Sequence, residues 1–214
     1  MIFILEKEAL RASGIADPNQ IDIYRKKLKK LYIQINSCIK VQGSIKTKAA
    51  TLFSWLWKNK PKRYKIGGNF RFHEVIDAQF DKESQEVGNC LGLTLLYNSL
   101  LKKMGAQPET IYLEHAFGIG PHVLTRLNTE QGCIDIDNIY SEGFDSQAHL
   151  NTRGRTTWDN QKLVSEIYIS AGNASFDKEE YSDALHNYNL AIKLNPLHEK
   201  AHLNRAILLD KISR

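Results

Sequence analysis

The stretch Gly88-Asn-Cys-Leu-Gly-Leu-Thr-Leu-Leu-Tyr-Asn-Ser-Leu-Leu-Lys-Lys-Met-Gly105 is apolar on most sides, which predicts a central, buried helix rather than an amphipathic surface one. Lys102 and Lys103 fall in its last turn, where cations suit the helix dipole, and Gly105 stands where a left-handed cap would close it. At the other end Cys90 follows Gly88-Asn89. There, unpaired amide N–H groups and the dipole stabilise a thiolate and could hold an oxyanion. Taken alone, a cysteine before an apolar run reads as a core thiol, because free cysteine packs as a small hydrophobe. Its neighbours in the fold decide between the two readings.

Downstream of this helix the period changes. Residues 110–117 and 122–127 read as strands, and Asn128-Thr-Glu-Gln-Gly132 as a tight connection into a third at 133–137, so an antiparallel sheet lies beside the helix in an α+β arrangement. His122 at the start of one strand and Asp135 on the next, with Cys90 at a helix start, could form a nucleophile, base and orienter across the helix–sheet contact. Asp137 shares a strand face with Asp135 by the period of two, so strand register decides which carboxylate meets His122.

These residues carry a resemblance. Gly88 to Gly105, then Gly120-Pro-His-Val-Leu-Thr-Arg-Leu127, then Ile134-Asp-Ile-Asp-Asn138 resemble the papain-like core of the transglutaminase-like superfamily over about residues 70–140. The order Cys, His, Asp agrees. The resemblance implies Cys90 as nucleophile, His122 as general base and acid, and Asp135 as the group that orients the imidazole; Asp135 fits the family pattern better than Asp137. It further implies thiol-dependent acyl transfer on an amide or peptide, hydrolysis ahead of transamidation, since no feature marks the walls that would keep water from an acyl-enzyme. The alternative is an inactive domain kept as a scaffold.

The tail carries a repeat. Gly172, Ala184, Tyr188, Ala191 and Pro196 fall at tetratricopeptide spacings, with Ser175 at an expected aromatic position beside Phe176, and Tyr168 and Ala171 for the Trp and Leu before the glycine. Asp177 and Glu180 suit a cap for the second helix, and 201–212 reads as the first helix of a following repeat. About one and a half repeats over 160–212 cannot bury a continuous face alone, so the tail must pack on the preceding domain or on another chain. It is the expected contact to a protein or peptide partner, or to a second copy of the chain. Bacterial transglutaminase-like proteins with such C-terminal repeats have a similar layout.

Upstream, Asp17-Pro18 opens a helix with Ile21, Tyr24, Leu28, Leu31, Tyr32 and Ile35 on one stripe, and a second helix is predicted over 46–58. Residues 1–65 hold 15 Lys/Arg and 4 Asp/Glu, net +11, against 14 and 20, net −6, in 66–214. The lysines of the first helix occupy its wet face. With no nucleic-acid fold signature beside them, a nucleic-acid partner is not expected. The segments are therefore basic N-terminal helices (1–65), a transglutaminase-like core (66–150), and tetratricopeptide-type helices (158–214), with a polar boundary at 140–157.

Other classes are disfavoured. Three dispersed cysteines (Cys38, Cys90, Cys133) form neither a disulfide framework nor a Cys-x-x-Cys pair, so a reducing compartment is the simpler reading. Ile2 to Leu5 is too short for a signal-peptide core, and Leu91 to Leu101 is too short for a membrane span and is broken by Thr94, Asn98 and Ser99. A cytoplasmic protein without membrane contact is expected. No cofactor or metal is expected: Cys90, His122 and Asp135 are zinc-competent types but lack close ligand spacing, and Gly118-Ile-Gly120-Pro does not continue into a helix as a phosphate loop would. Among rivals, His115 could serve as the base, His73 and His149 read as surface or packing residues, Gln85 could donate to an oxyanion but reads as solvent-facing, and Cys38 and Cys133 read as core thiols.

Overall fold

A computed structural model of the chain describes residues 3–38, 43–118 and 120–213, apart from the side chain of Cys38. Its elements are α1 (Leu5–Ala12), α2 (Pro18–Cys38), α3 (Ile45–Asn59), α4 (Phe72–Phe80), α5 (Cys90–Lys103), β1 (Glu109–Ala116), β2 (Gly120–Thr129), β3 (Gly132–Ile136), β4 (Arg155–Trp158), α6 (Asn160–Asp177), α7 (Tyr181–Leu194) and α8 (Glu199–Ser213). The four strands form one antiparallel sheet in the order β3-β2-β1-β4. The α+β class expected from the sequence is the one observed. None of the described helices is long and apolar enough to cross a membrane.

Helix α5 is the centre of the core, and every residue from Leu91 to Leu101 is buried. The Asn89 side chain accepts from the Gly92 amide and caps its start, while Gly105, at φ 88°, closes its end. One apolar core takes side chains from Leu5 of α1 through Leu28, Leu56, Val75 and Leu96 to Ile167 of α6. The three polar residues that interrupt the α5 sequence are all buried, and two of them fix the helix on the sheet. Asn98 Nδ2 donates to the Thr110 hydroxyl (3.2 Å) and Asn98 Oδ1 accepts from Thr125 (2.7 Å). Thr94 donates to the Val123 carbonyl (3.2 Å), and Asn138 donates to both Thr94 and Thr125.

The basic helix α2 behaves as its stripe predicts: Asp17 caps it, accepting from the amides of Asn19 and Gln20, and Ile21, Leu28, Leu31 and Ile35 are buried. The basic run from Lys58 to Lys65 differs. Lys60 and Arg63 are buried; Lys60 donates to the carbonyls of Asp81 and Ser84 in the loop after α4, and Arg63 to the side chain of Gln79 in α4. Three elements had no sequence expectation as such: α1; α4, read only as a short segment; and β4, which lies inside the polar stretch read as a boundary.

Helix α6 packs on α7 and α7 on α8, and α6 also packs on α1, so the tail is seated on the preceding fold. A buried His198–Glu166 pair (3.0 Å) joins the turn before α8 to α6. Beside it Tyr112 stacks on Trp158 at 4.0 Å, carrying the sheet edge onto the same seam. The expected Asp177/Glu180 cap is not made. Glu180 at the start of α7 has no side-chain cap bond; instead Glu179 takes φ 63°, and the amides of Glu179 and Glu180 bond to the carbonyls of Phe176 and Ser175. Gly172 is required by close packing, since an added Cβ would lie 2.5 Å from Tyr188 Cε1. Gly172→Ala should therefore destabilise by about 1–3 kcal/mol, although alanine favours a helix interior by about 1 kcal/mol. Urea unfolding tests this, and an unchanged or higher midpoint would show that the α6–α7 contact has room.

Candidate active site

The site forms where the start of α5 meets the start of β2. Thr94, one turn into α5, is bonded to the residue after His122, and a helical turn is about 5.4 Å, so this bond brings Cys90 beside His122. The loop before α5 closes tightly on the helix start. The Asn89 amide bonds to the Asn69 carbonyl (3.1 Å), and a Cβ on Gly88 or Gly92 would lie 2.6 or 2.5 Å from that oxygen. Tyr64 is bridged to Gly88 in the same loop contact.

His122 is buried, and its Nε2 donates to Asp137 Oδ2 at 3.0 Å. Burial opposes a charge on this ring. The hydrogen bonds with Asp137 and Cys90, and the charges of both, outweigh it and push the pKa up to about 9. With Nε2 committed to the carboxylate, Nδ1 is the ring nitrogen left for the thiol. Asp137 is fully buried. Burial would raise its pKa, but the contacts with His122 and His149 and the Ile139 amide hold it below the usual carboxylate value. Cys90 itself is partly buried. The Tyr64 hydroxyl is pushed up by burial and by the nearby negative charges of Cys90 and Asp137, so it borders the same space.

Asp135, the orienter expected from the sequence, is not the residue that meets His122. Strand register gives the reason. Asp135 lies opposite Arg126, four residues from His122 and so about 13 Å along the strand. Its carboxylate is held by Arg155 (2.6 Å) and Arg126 (3.3 Å). Asp137, two residues on, comes within reach of the imidazole. Cys90, His122 and Asp137 are therefore brought together, and Asp135 serves a separate ion cluster.

His149 also departs from its expected packing or surface role. It is buried, with Nε2 3.6 Å from the same Asp137 oxygen that His122 bonds. The exposed ring of Phe117 lies edge-on against both imidazoles, at 5.6 Å from His122 and 4.7 Å from His149. Phe117 takes φ 55°, a conformation that costs a bulky side chain energy and persists only where its surroundings hold it. His149 and Tyr64 carried no sequence signal beyond residue type, because loops outside the helix–sheet pattern bring them in, and Phe117, read as the last residue of a strand, stands in the turn just after β1. His115 and Gln85 are exposed, and His73 packs against Tyr24. Cys133 is exposed and donates to Asn128, contrary to the core role expected from its strand pattern: it lies at the hairpin end of β3. The side chain of Cys38 lies outside the described residues.

The arrangement suits nucleophilic chemistry on a carbonyl: a thiol at a helix start, a base beside it, and a buried carboxylate behind the base. Comparisons with protein-family models, with curated proteins and with solved structures found no match for this chain.

Proposed function

We propose that the protein is a thiol-dependent acyl-transfer enzyme acting on an amide or peptide, with hydrolysis as the preferred outcome. The observation that carries this reading is His122 held between Cys90 and the buried Asp137 carboxylate. Cys90 as thiolate attacks the carbonyl carbon, and the first amides of α5 receive the oxyanion. Imidazolium His122 then protonates the leaving amine as the carbon–nitrogen bond breaks, leaving a thioester on Cys90. Neutral His122 next takes a proton from water, whose hydroxide attacks the thioester and releases the acid. Asp137 keeps the ring oriented and stabilises its charge throughout.

This reading extends to the finer assignments. The core is read as transglutaminase-like and papain-like, α6–α8 as tetratricopeptide-type helices, and the dispersed thiols as those of a cytoplasmic protein. A scaffold reading draws support from α8 and the turn before it, where Leu197, Leu203, Ile207 and Ile212 are exposed and offer an apolar surface to a protein partner.

One measurement separates the two. Cys90 and Cys133 are alkylated with iodoacetamide at about pH 6, where an ordinary thiol of pKa about 8.5 is almost wholly protonated, and each site is followed by mass spectrometry. Cys90 should react at least about tenfold faster than the exposed Cys133 and lose that advantage in His122→Ala. Equal rates, or indifference to His122, would remove the enzyme reading and leave the scaffold.

A further inference from the structure

His149 is left over by the proposed chemistry, yet it is buried against the centre of the site. Its Nδ1 faces the Thr152 hydroxyl at 3.3 Å. Its Nε2 is enclosed and has no hydrogen-bond partner, with Asp137 Oδ2 3.6 Å away. An enclosed imidazole nitrogen without a partner is costly unless something else occupies it.

We propose that His122, Asp137 and His149 form a site for a zinc-type divalent transition metal. One donor atom from each residue lies within 4.8 Å of the other two. A tetrahedral ion with bonds of about 2.0–2.1 Å needs donors about 3.3 Å apart. The two separations from Asp137 Oδ2, 3.0 Å to His122 Nε2 and 3.6 Å to His149 Nε2, bracket that value. The donor nitrogens of the two imidazoles lie within 4.8 Å of each other. Two imidazoles and a carboxylate suit zinc better than the hard, oxygen-seeking magnesium or calcium. The Thr152 hydroxyl on His149 Nδ1 is the outer partner that fixes a ligating ring.

This inference rests on the acyl-transfer reading in one respect, the consequence of occupancy. The ion replaces the His122–Asp137 hydrogen bond and takes from Cys90 its base, so a metal-bound molecule is a resting form of the thiol enzyme. Binding itself does not depend on that reading.

Equilibrium dialysis of the full chain against Zn2+ tests the site, using wild type, Cys90→Ser, His149→Ala and the more conservative His149→Gln. Wild type and Cys90→Ser should each hold one equivalent. Both His149 variants should bind at least about 100-fold more weakly, beyond the 10–100-fold usual for losing only an outer partner. Co2+ as a coloured substitute should give visible bands of a low-coordinate site in wild type and Cys90→Ser alike. The variants' unfolding curves without metal show whether they are folded, and a Zn2+-dependent rise in Tm should appear in wild type and vanish in His149→Gln. Undiminished zinc binding in folded His149→Gln would overturn the proposal. So would binding that disappears in Cys90→Ser along with a sulfur-to-cobalt charge-transfer band, since that pattern belongs to a Cys90–His122 chelate. Iodoacetamide labelling of Cys90 in metal-free buffer is read separately, so failure of the metal site and failure of the thiol reading are told apart.

Discussion

Asp137→Asn should slow alkylation of Cys90 at about pH 6 by roughly 10- to 100-fold, whereas Asp135→Asn should leave it within about twofold of wild type. The two carboxylates are two residues apart, Asp135 within β3 and Asp137 just past its end, and they have different partners. Asp137 is fully buried and bonds His122 Nε2 at 3.0 Å, so its neutral isostere withdraws the charge that supports an imidazolium beside the thiol. Asp135 faces Arg155 and Arg126. Its loss should appear in stability instead, at about 2–3 kcal/mol in urea unfolding. That lies below the 3–5 kcal/mol of a wholly buried pair, because the arginines keep 24% and 13% of their side-chain surface in water. Mass-spectrometric labelling and urea unfolding of both variants make a two-by-two comparison. If the effects were exchanged, the β2–β3 register would have to shift by two residues; if neither variant changed labelling, His122 would act without a carboxylate.

The part of the fold that could be read from the chain was the part with one dominant period. The α5 run, its Gly105 end and the capped α2 stripe each repeat a single physical preference over three or more turns, and they stand where the sequence puts them. Cys90 and His122 could be singled out because each stands at the first residues of an element the pattern predicts, the α5 helix and the β2 strand. The choice of orienter did not follow, since two aspartates on one strand face are equivalent until the hairpin sets the register. With Thr129 opposite Gly132, the turn fixes Asp135 against Arg126 and delivers Asp137 to the imidazole. Strand β4 was hidden for another reason: Arg155-Thr-Thr-Trp158 lies at the sheet edge with its first three residues facing outward to varying degrees, so it carries no alternating pattern. His149 sits in a polar connection whose path is set by contacts such as Arg155 to the His149 carbonyl. Local sequence does not encode that kind of tertiary placement.

Asn98→Leu inverts what the sequence pattern alone would favour. Leucine would complete an almost continuous apolar helix, improve helix propensity slightly and bury more hydrocarbon. The structure predicts the opposite sign, a loss of about 2–4 kcal/mol, because Asn98 is the shared partner of two buried hydroxyls. Without it Thr110 loses its donor and the Thr125 hydroxyl its acceptor, in a place closed to water. An unsatisfied buried polar group costs about 1–3 kcal/mol, and two are created against a hydrophobic gain of about 1 kcal/mol. The loss should also reach the site, since the network around Asn98 and Thr94 sets α5 against β2 and so sets Cys90 against His122. Adding Thr110→Val and Thr125→Val to Asn98→Leu removes the orphaned hydroxyls and should recover at least about half of the lost stability, as replacing both partners of a buried bond by apolar groups is nearly neutral, while Asn138, which loses Thr125 as an acceptor, keeps Thr94. Cys90 labelling need not recover with it, because the apolar version holds the helix by shape but lacks the directional bonds that fix its sliding position. An Asn98→Leu variant as stable as wild type would show that the polar layer is incidental to the helix–sheet contact, and the placement of Cys90 would then rest on the packing of Gly88 and Gly92 against the Asn69 loop.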